Sequence, residues 1–219
     1  MNAPERFFLP DIQASADHRQ QAINKVGVKG LRYPLALFDG LGQVQHTVAE
    51  VSMAVGLSPE VKGTHMSRFI ELLEKKRPAL TPERLLRMLD EMLRRLDATS
   101  GTIELAFPYF ISKEAPISGV ESLLDYDVRL RVDKREGQDA ELHLEVVAPV
   151  TSLCPCSKKI SDYGAHNQRS HITLAVRLRE PMTPDALVRL AEEEASCEVY
   201  GLLKRPDEKY VTELAYDNP

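Results

Sequence analysis

Apolar and polar residues alternate along several stretches of this chain, a pattern typical of strands with one buried face. The first two stretches cover residues 22–38 and 44–55, and Asp39-Gly40 between them predicts a hairpin turn. The same alternation predicts four further strands, at residues 102–111, 124–133, 140–150 and 172–178.

Helical spacing of apolar residues predicts helices at residues 66–75 and 81–98. Thr81-Pro82-Glu83 provides an N-cap hydroxyl and a proline at the first helical position. A similar start at Thr183-Pro184-Asp185 predicts a helix to about residue 194, and a last helix is predicted at 207–216.

The order of these elements indicates two related halves, because a strand pair followed by helices occurs twice. The prediction is an α+β protein with antiparallel strands and helices on one face. Its parts are an N-terminal arm at 1–20, a first half at 21–111 and a second half at 112–219. The second half has no strands to match residues 102–111, so we expect its C-terminal strands to be missing.

Composition narrows the possible partners and location. An apolar fraction of 43% supplies a core, and the net charge of −5 argues against a nucleic-acid surface. No run of about 20 apolar residues predicts a membrane span, and the N-terminus does not resemble a signal peptide. The sequence therefore predicts a cytoplasmic protein.

The richest chemistry lies at residues 150–171, which contain Cys154, Cys156, His166 and His171. Thiolate and imidazole are ligands that zinc prefers, and a disulfide between cysteines so close in sequence is unfavourable. We expect a metal site here, open to a water molecule or closed by four ligands. The alternative is a pair of small buried thiols with a hydrogen-bonded histidine.

Other polar residues are ambiguous on sequence alone. Glu198 and Glu213 are more simply solvated carboxylates than ligands. The stretch K-G-T-H-M-S-R at residues 62–68 opens a helix whose free N–H groups suit phosphate, although Thr64 could be an ordinary cap. Lys204-Arg205-Pro206 is a second basic cluster or a solvated turn.

Four motifs in series resemble the type IB GTP cyclohydrolase I family. They are K-G-T-H-M-S-R-F, T-S-L-C-P-C-S-K, I-S-D-Y-G-A-H-N-Q-R-S and S-C-E-V-Y-G-L-L-K-R-P-D-E-K-Y-V-T-E. The resemblance implies the bimodular tunnelling fold, a homotetramer with active sites between subunits, and hydrolysis of GTP to 7,8-dihydroneopterin triphosphate and formate. This reaction is the first step of tetrahydrofolate biosynthesis. It would use Zn²⁺ or Mn²⁺ and no organic cofactor.

The resemblance also assigns residues to roles. It implies metal ligation by Cys154, His166 and Glu198, with water activated at the metal, and a catalytic or substrate-contacting thiol at Cys156. Glu213 would bind the guanine base. The remaining expected substrate contacts are Thr64, His65, Ser67, Arg68 and Lys204.

The sequence departs from the family pattern at one point, and three other functions remain as alternatives. The family has a further histidine beyond the point that corresponds to Pro219, and these 219 residues do not contain it. The alternatives are a related cyclohydrolase that forms a cyclic phosphate of dihydroneopterin, a tunnelling-fold nitrile reductase that uses NADPH, and a metal-stabilised binding module without turnover.

Overall fold

An antiparallel sheet forms the centre of the protein. The computed structural model describes residue 18 and residues 20–75, 78–162 and 164–219. Six long strands follow one another across the sheet in chain order, and a short seventh strand pairs with the end of the fifth. The strands are β1 (Ile23–Phe38), β2 (Val44–Leu57), β3 (Gly101–Glu114), β4 (Glu121–Lys134), β5 (Glu141–Leu153), β6 (Asn167–Leu178) and β7 (Cys197–Glu198).

Five helices complete the described fold. They are α1 (Met66–Glu74), α2 (Pro82–Leu96), α3 (Pro155–Ile160), α4 (Pro184–Glu193) and α5 (Arg205–Asp217). The α+β class and the antiparallel sheet predicted from the sequence are confirmed. Among the helices that the structure describes, none has the length and apolarity needed to cross a membrane.

The predicted hairpin joins β1 to β2, and its turn depends on Asp39. The Asp39 carboxylate accepts hydrogen bonds from the backbone N–H groups of Leu41 and Gln43, at 2.9 and 2.7 Å. Gly42 has a φ of +79°, a conformation that glycine adopts without strain. The turn therefore forms as predicted, with its left-handed residue at Gly42 rather than at Gly40.

The main core lies between the sheet and its helices, and a smaller cluster of Leu153, Cys197 and Ala215 lies apart from it. Alternate residues of β2 and β3, such as Met53 and Ile103, are fully buried against Leu85, Leu89 and other residues of α2. Leu187 of α4 belongs to the same core at the β5 end of the sheet. Burying such side chains stabilises each by about 1.5–3 kcal/mol relative to exposure, so this layer provides much of the driving force for folding.

The α2 N-cap gives a first testable prediction. The Thr81 hydroxyl accepts a hydrogen bond from the Arg84 backbone N–H at 3.3 Å. Thr81→Ala removes the cap and should reduce the free energy of unfolding by about 1 kcal/mol. Urea denaturation measures the change, and Thr81→Ser, which keeps the hydroxyl, should remain close to the parent protein. Equal losses in both variants would contradict the capping role.

Three local predictions need correction. Strand β6 begins at Asn167 rather than at residue 172, α3 lies inside the predicted loop, and β7 has no counterpart in the sequence pattern. The proposed boundary at residues 111 and 112 falls within β3, which pairs with β4 from Gly101 to Glu114. The strands of both halves thus form one sheet, and the relatedness of the halves stays a prediction. Most of the predicted arm at 1–20 lies outside the described residues.

Candidate active site

Cys154 lies at the point where β5 gives way to α3. The last residue pair of the β5–β6 ladder is Leu153 with Asn167, and Cys154 occupies the N-cap position of α3. Pro155 follows at the first helical position, where its missing N–H leaves no hydrogen bond unmade. The C-P-C sequence therefore forms the start of a short helix rather than an open loop.

The same geometry places Cys154 beside His166. The Cys154 backbone N–H donates to the His166 carbonyl at 3.3 Å, and the His166 N–H donates to the Ser157 hydroxyl at 3.3 Å. Hydrogen bonds from Ser157 lower the pKa of the Cys154 thiol, which favours the thiolate that binds metals. Cys156 is exposed on the first turn of α3. Three predicted site residues, Cys154, Cys156 and His166, thus lie in one short stretch around α3.

Glu213 lies on α5, which packs across the same loop. A cavity of about 470 Å³ is lined by Glu213, by Thr212 and Tyr216 of the same helix, and by Ala165 and Asn167 on either side of His166. The Glu213 side chain is 65% exposed and lies 3.7 Å from the Lys209 ammonium. Its carboxylate is therefore accessible to a ligand in this cleft.

The loop and α5 are also joined directly by Lys158. Its ammonium lies 4.1 Å from the centroid of the Tyr216 ring and donates a hydrogen bond to the Tyr216 carbonyl. Both contacts connect α3 to the last turns of α5. They hold Glu213 on the side of α5 that borders the Cys154–His166 region.

Glu198, the third predicted metal ligand, has a different environment. It lies on β7 opposite Val150, and Cys154 is four positions after Val150 along the chain, about 13 Å in an extended strand. Its carboxylate accepts hydrogen bonds from Lys113 and, at 2.7 Å, from the Tyr200 hydroxyl. Burial opposes ionisation of Glu198, but these two donors lower its pKa.

These placements test whether a metal would fit the predicted ligands. In the described part of the chain, no group of three or more His, Cys, Asp or Glu side chains is arranged to hold a metal ion. Cys154 and His166 have suitable donor chemistry and adjacent backbones, whereas Glu198 does not join them. The structure therefore supports two of the three predicted donors as neighbours and leaves the set incomplete within one chain.

The predicted triphosphate contacts lie in another part of the fold. Thr64 and His65 precede α1, and Ser67 and Arg68 are in its first turn. The N-cap of α1 is His65, without a side-chain cap, so the ordinary capping role considered for Thr64 is wrong. Arg68 donates to the Arg95 carbonyl of α2 at 2.6 Å. Lys204, by contrast, is exposed at the N-cap of α5.

Comparison with known proteins decides the family. A family model described as type I GTP cyclohydrolase folE2 matches residues 9–219. The chain belongs to this family. GTP cyclohydrolase FolE2 1 of Dechloromonas aromatica (strain RCB) is 71% identical over 219 residues, which cover all of this chain and 82% of the relative. GTP cyclohydrolase FolE2 of Azoarcus sp. (strain BH72) is 57% identical over 219 residues, which cover all of this chain and 81% of the relative. GTP cyclohydrolase FolE2 of Burkholderia multivorans is 57% identical over 213 residues, which cover 97% of this chain and 79% of the relative.

The folE2-family chain also contains functional candidates that sequence patterns missed. Lys113 and Glu192 form a buried ion pair at 2.7 Å, and Asp207 is fully buried at the start of α5. The alternation of β3 puts Lys113 on the same buried face as Ile103 and Tyr109. A lysine in that position breaks the apolar pattern, and its partner Glu192 lies far along the chain, so the sequence did not indicate the ion pair. The local sequence could have indicated a role for Asp207 at the start of α5, since an acidic residue directly after a proline is typical of the first turn of a helix.

Proposed function

We propose that this chain hydrolyses GTP to 7,8-dihydroneopterin triphosphate and formate, the first step of tetrahydrofolate biosynthesis. The observation that carries the proposal is the 57–71% identity, over 97–100% of the chain, to proteins named GTP cyclohydrolase FolE2. The reaction consumes one water overall: the imidazole ring of guanine opens, C8 leaves as formate, and the remaining atoms close to the pterin ring. The type IB form of the enzyme is part of the proposal.

Cys154 and His166 would hold a Zn²⁺ or Mn²⁺ ion in this scheme. Such an ion lowers the pKa of a water molecule and so supplies a nucleophile at neutral pH. The lowered pKa of the Cys154 thiol supports the proposal, as does the backbone contact that places His166 beside it. Glu198 remains a predicted third donor only if its carboxylate leaves Lys113 and Tyr200. No organic cofactor is part of the proposal.

The chain's own residues would bind and orient the substrate. Glu213, in the cleft beside Ala165 and Asn167, would accept hydrogen bonds from the guanine N1–H and 2-amino groups. Carboxylates accept such paired donors with both oxygens, which favours guanine over adenine. Cys156, exposed next to this region, would contact substrate or take part in proton transfer.

The homotetramer and the tunnelling fold are also proposals. Strands β1 and β6 are the sheet edges in the described chain, and each can pair with a strand of another subunit. Assembly of subunits would bring the predicted triphosphate contacts of one subunit, Thr64, His65, Ser67 and Arg68, to the Cys154 region of another. Their location in the α1–α2 layer, away from the β5–β6 loop, fits that requirement.

A cytoplasmic setting completes the proposal. All three cysteines, Cys154, Cys156 and Cys197, are free thiols. A reducing compartment keeps such thiols available for metal binding or catalysis.

A product assay tests the activity. The purified protein, loaded with Zn²⁺ or Mn²⁺ and given GTP, should release formate and a product that becomes fluorescent on oxidation to the pterin. Mass spectrometry should identify a triphosphate rather than a cyclic phosphate. ATP, which lacks the 2-amino group, serves as the control and should yield neither product. Absence of both formate and pterin from GTP would overturn the proposed function.

A further inference from the structure

A second cavity, of about 550 Å³, lies between the first three strands of the sheet and the helices α1 and α2. Its lining shares no residue with the cleft beside the His166 loop. The volume falls in the range of about 300–1,000 Å³ that is typical of small-molecule sites. Most of its walls are apolar side chains, contributed by Tyr33, Leu35, Ala49, Leu73, Leu80 and Met88.

The space arises where the apolar layer of β2 is thinnest. Ala49 is 1% exposed and lies on the buried face of the strand, two residues before Val51 and four before Met53. A methyl group fills less of the gap between sheet and helices than the longer side chains on either side of it. Because protein interiors are otherwise closely packed, a gap of this size is a feature of the fold that requires an explanation.

The wall formed by residues 78–80 is fixed to the sheet. The Leu80 backbone N–H donates to the Ala36 carbonyl of β1 at 2.6 Å, and Leu80 forms a β-bridge with Leu37. Arg84 in the first turns of α2 donates to the Ala79 carbonyl and holds the same stretch from the other side. The cavity is therefore preformed, so a ligand would not need to order this wall when it binds.

The charged side chains that line the cavity are mainly cationic. Lys75, Arg84 and Arg87 contribute positive charge, and Glu74 is the carboxylate among the described lining residues. The Lys75 ammonium is bound to Glu91 of α2, and Arg84 is bound to the Ala79 carbonyl. Arg87 is exposed, and its guanidinium forms no hydrogen bond or ion pair with the part of the chain that the structure describes. It is therefore available to an anion at the opening.

We propose that this cavity binds a small apolar carboxylate, with its hydrocarbon or aromatic body between Ala49 and Met88 and its carboxylate at Arg87. Apolar walls with one charged group at the opening match a molecule that is apolar except at one end. A guanidinium suits the charged end because it can donate two parallel hydrogen bonds to a carboxylate. The site is separate from the residues assigned to GTP and goes beyond the proposed function.

A pair of matched compounds tests the chemistry of the ligand. Isothermal titration of the protein with 1-naphthoate should show saturable binding to one site per chain. 1-Naphthamide has the same rings and no charge, and it should bind at least about tenfold more weakly, since hydrogen bonds to charged groups are the stronger ones. Absence of saturable naphthoate binding, or equal affinity for the two compounds, would overturn the proposal.

Arg87→Gln tests the contact with the carboxylate. The variant should weaken naphthoate binding about tenfold and leave naphthamide binding unchanged. Arg94→Gln is the control, because Arg94 is also an exposed arginine of α2 and does not line the cavity. If both variants weaken naphthoate equally, the anion responds to the general charge of α2, and a specific site at Arg87 is ruled out.

Ala49→Leu tests the location by filling the cavity. The added side chain should abolish binding of both compounds while the midpoint of thermal unfolding stays the same or rises, because it occupies existing space. If Ala49→Leu does not fold, Ala49→Val, which adds less volume, should weaken both compounds in a folded protein. Binding that persists unchanged in a folded variant of Ala49 would place the ligand elsewhere and contradict the proposal.

Two further measurements exclude other occupants of the cavity. Sedimentation velocity should give the same oligomeric state with and without naphthoate, whereas dissociation of an assembly by naphthoate or by Ala49→Leu would identify the cavity as a contact between copies of the chain. Saturating GTP should leave naphthoate affinity unchanged, and competition would assign naphthoate to the substrate site. Either contrary result would overturn the proposal. Absence of GTP turnover would contradict the proposed function alone.

Discussion

Replacing Cys154 with serine is expected to reduce GTP turnover roughly a thousandfold while leaving the fold intact. Losses of about this size follow when a group that stabilises charge in the transition state is removed. The fold should survive because Cys154 lies at the edge of the structure, after the last residue of β5, and outside the buried core. Turnover, bound metal and thermal unfolding of the same preparation provide the measurements.

The control for Cys154→Ser is Cys197→Ala. Cys197 is 3% exposed, packs with Leu153 and Ala215, and has a pKa raised to about 11 by burial and by the nearby Glu198 carboxylate. It should retain metal and lose stability, the opposite of Cys154→Ser. If Cys154→Ser unfolds the protein instead, the metal stabilises the structure and the binding-module alternative is favoured.

Asp207→Asn is expected to produce the largest loss of stability among single polar substitutions in α5. Four donors converge on the Asp207 carboxylate: the N–H groups of Ile117, Ser118 and Lys204 and the Ser118 hydroxyl, at 2.6–2.9 Å. An asparagine would place an amide NH₂ against some of these donors and leave them unpaired in a buried site. The midpoint of thermal unfolding at pH 7 should fall by several degrees, and Asp217→Asn, at the exposed end of α5, should leave it unchanged.

The effect of Asp207→Asn should also depend on pH. Burial opposes ionisation, but the four hydrogen bonds from Ser118, Lys204 and Ile117 hold the pKa of Asp207 far below its ordinary value of 3.8. The folded state therefore binds a proton later than the unfolded state as pH falls. The stabilisation is complete above pH 3.8 and declines as pH falls below it toward the folded pKa. A difference in stability between parent and variant that is constant from pH 7 to pH 3 would contradict this account.

Sequence patterns were most informative where the structure is periodic. The alternation at 22–38 and 44–55 predicted β1 and β2 almost to the residue, and Thr81-Pro82-Glu83 located the start of α2. Both signals are local, since strand alternation reflects one buried face and a cap requires only neighbouring backbone groups. The same locality explains why Cys154 and His166 could be singled out, because they belong to one loop between adjacent strands.

The errors concern features that depend on distant partners. Strand β7 has two residues and exists because it pairs with β5 at Val150 and Thr151, beyond Val147, where the pairing of β5 with β4 ends. The solvated environment considered for Glu198 is wrong, since Lys113 and Tyr200 bind its carboxylate. No pattern around Glu198 could indicate a partner 85 residues earlier in the chain.

The sequence by itself determined the class of the fold, the family, and the stretch that contains Cys154, Cys156 and His166. The spacing of hydrophobic residues, the helix caps and the types of side chain are properties of short segments. They can be recognised without knowing how the rest of the chain folds. Only the tertiary structure decided which carboxylates are accessible to a ligand and which are bound by other residues of the chain. It placed Glu213 in an accessible cleft beside the His166 loop and buried Asp207 as a helix anchor. It also committed Glu198 to Lys113, because the environment of a carboxylate depends on the charges and donors that folding brings from elsewhere in the chain.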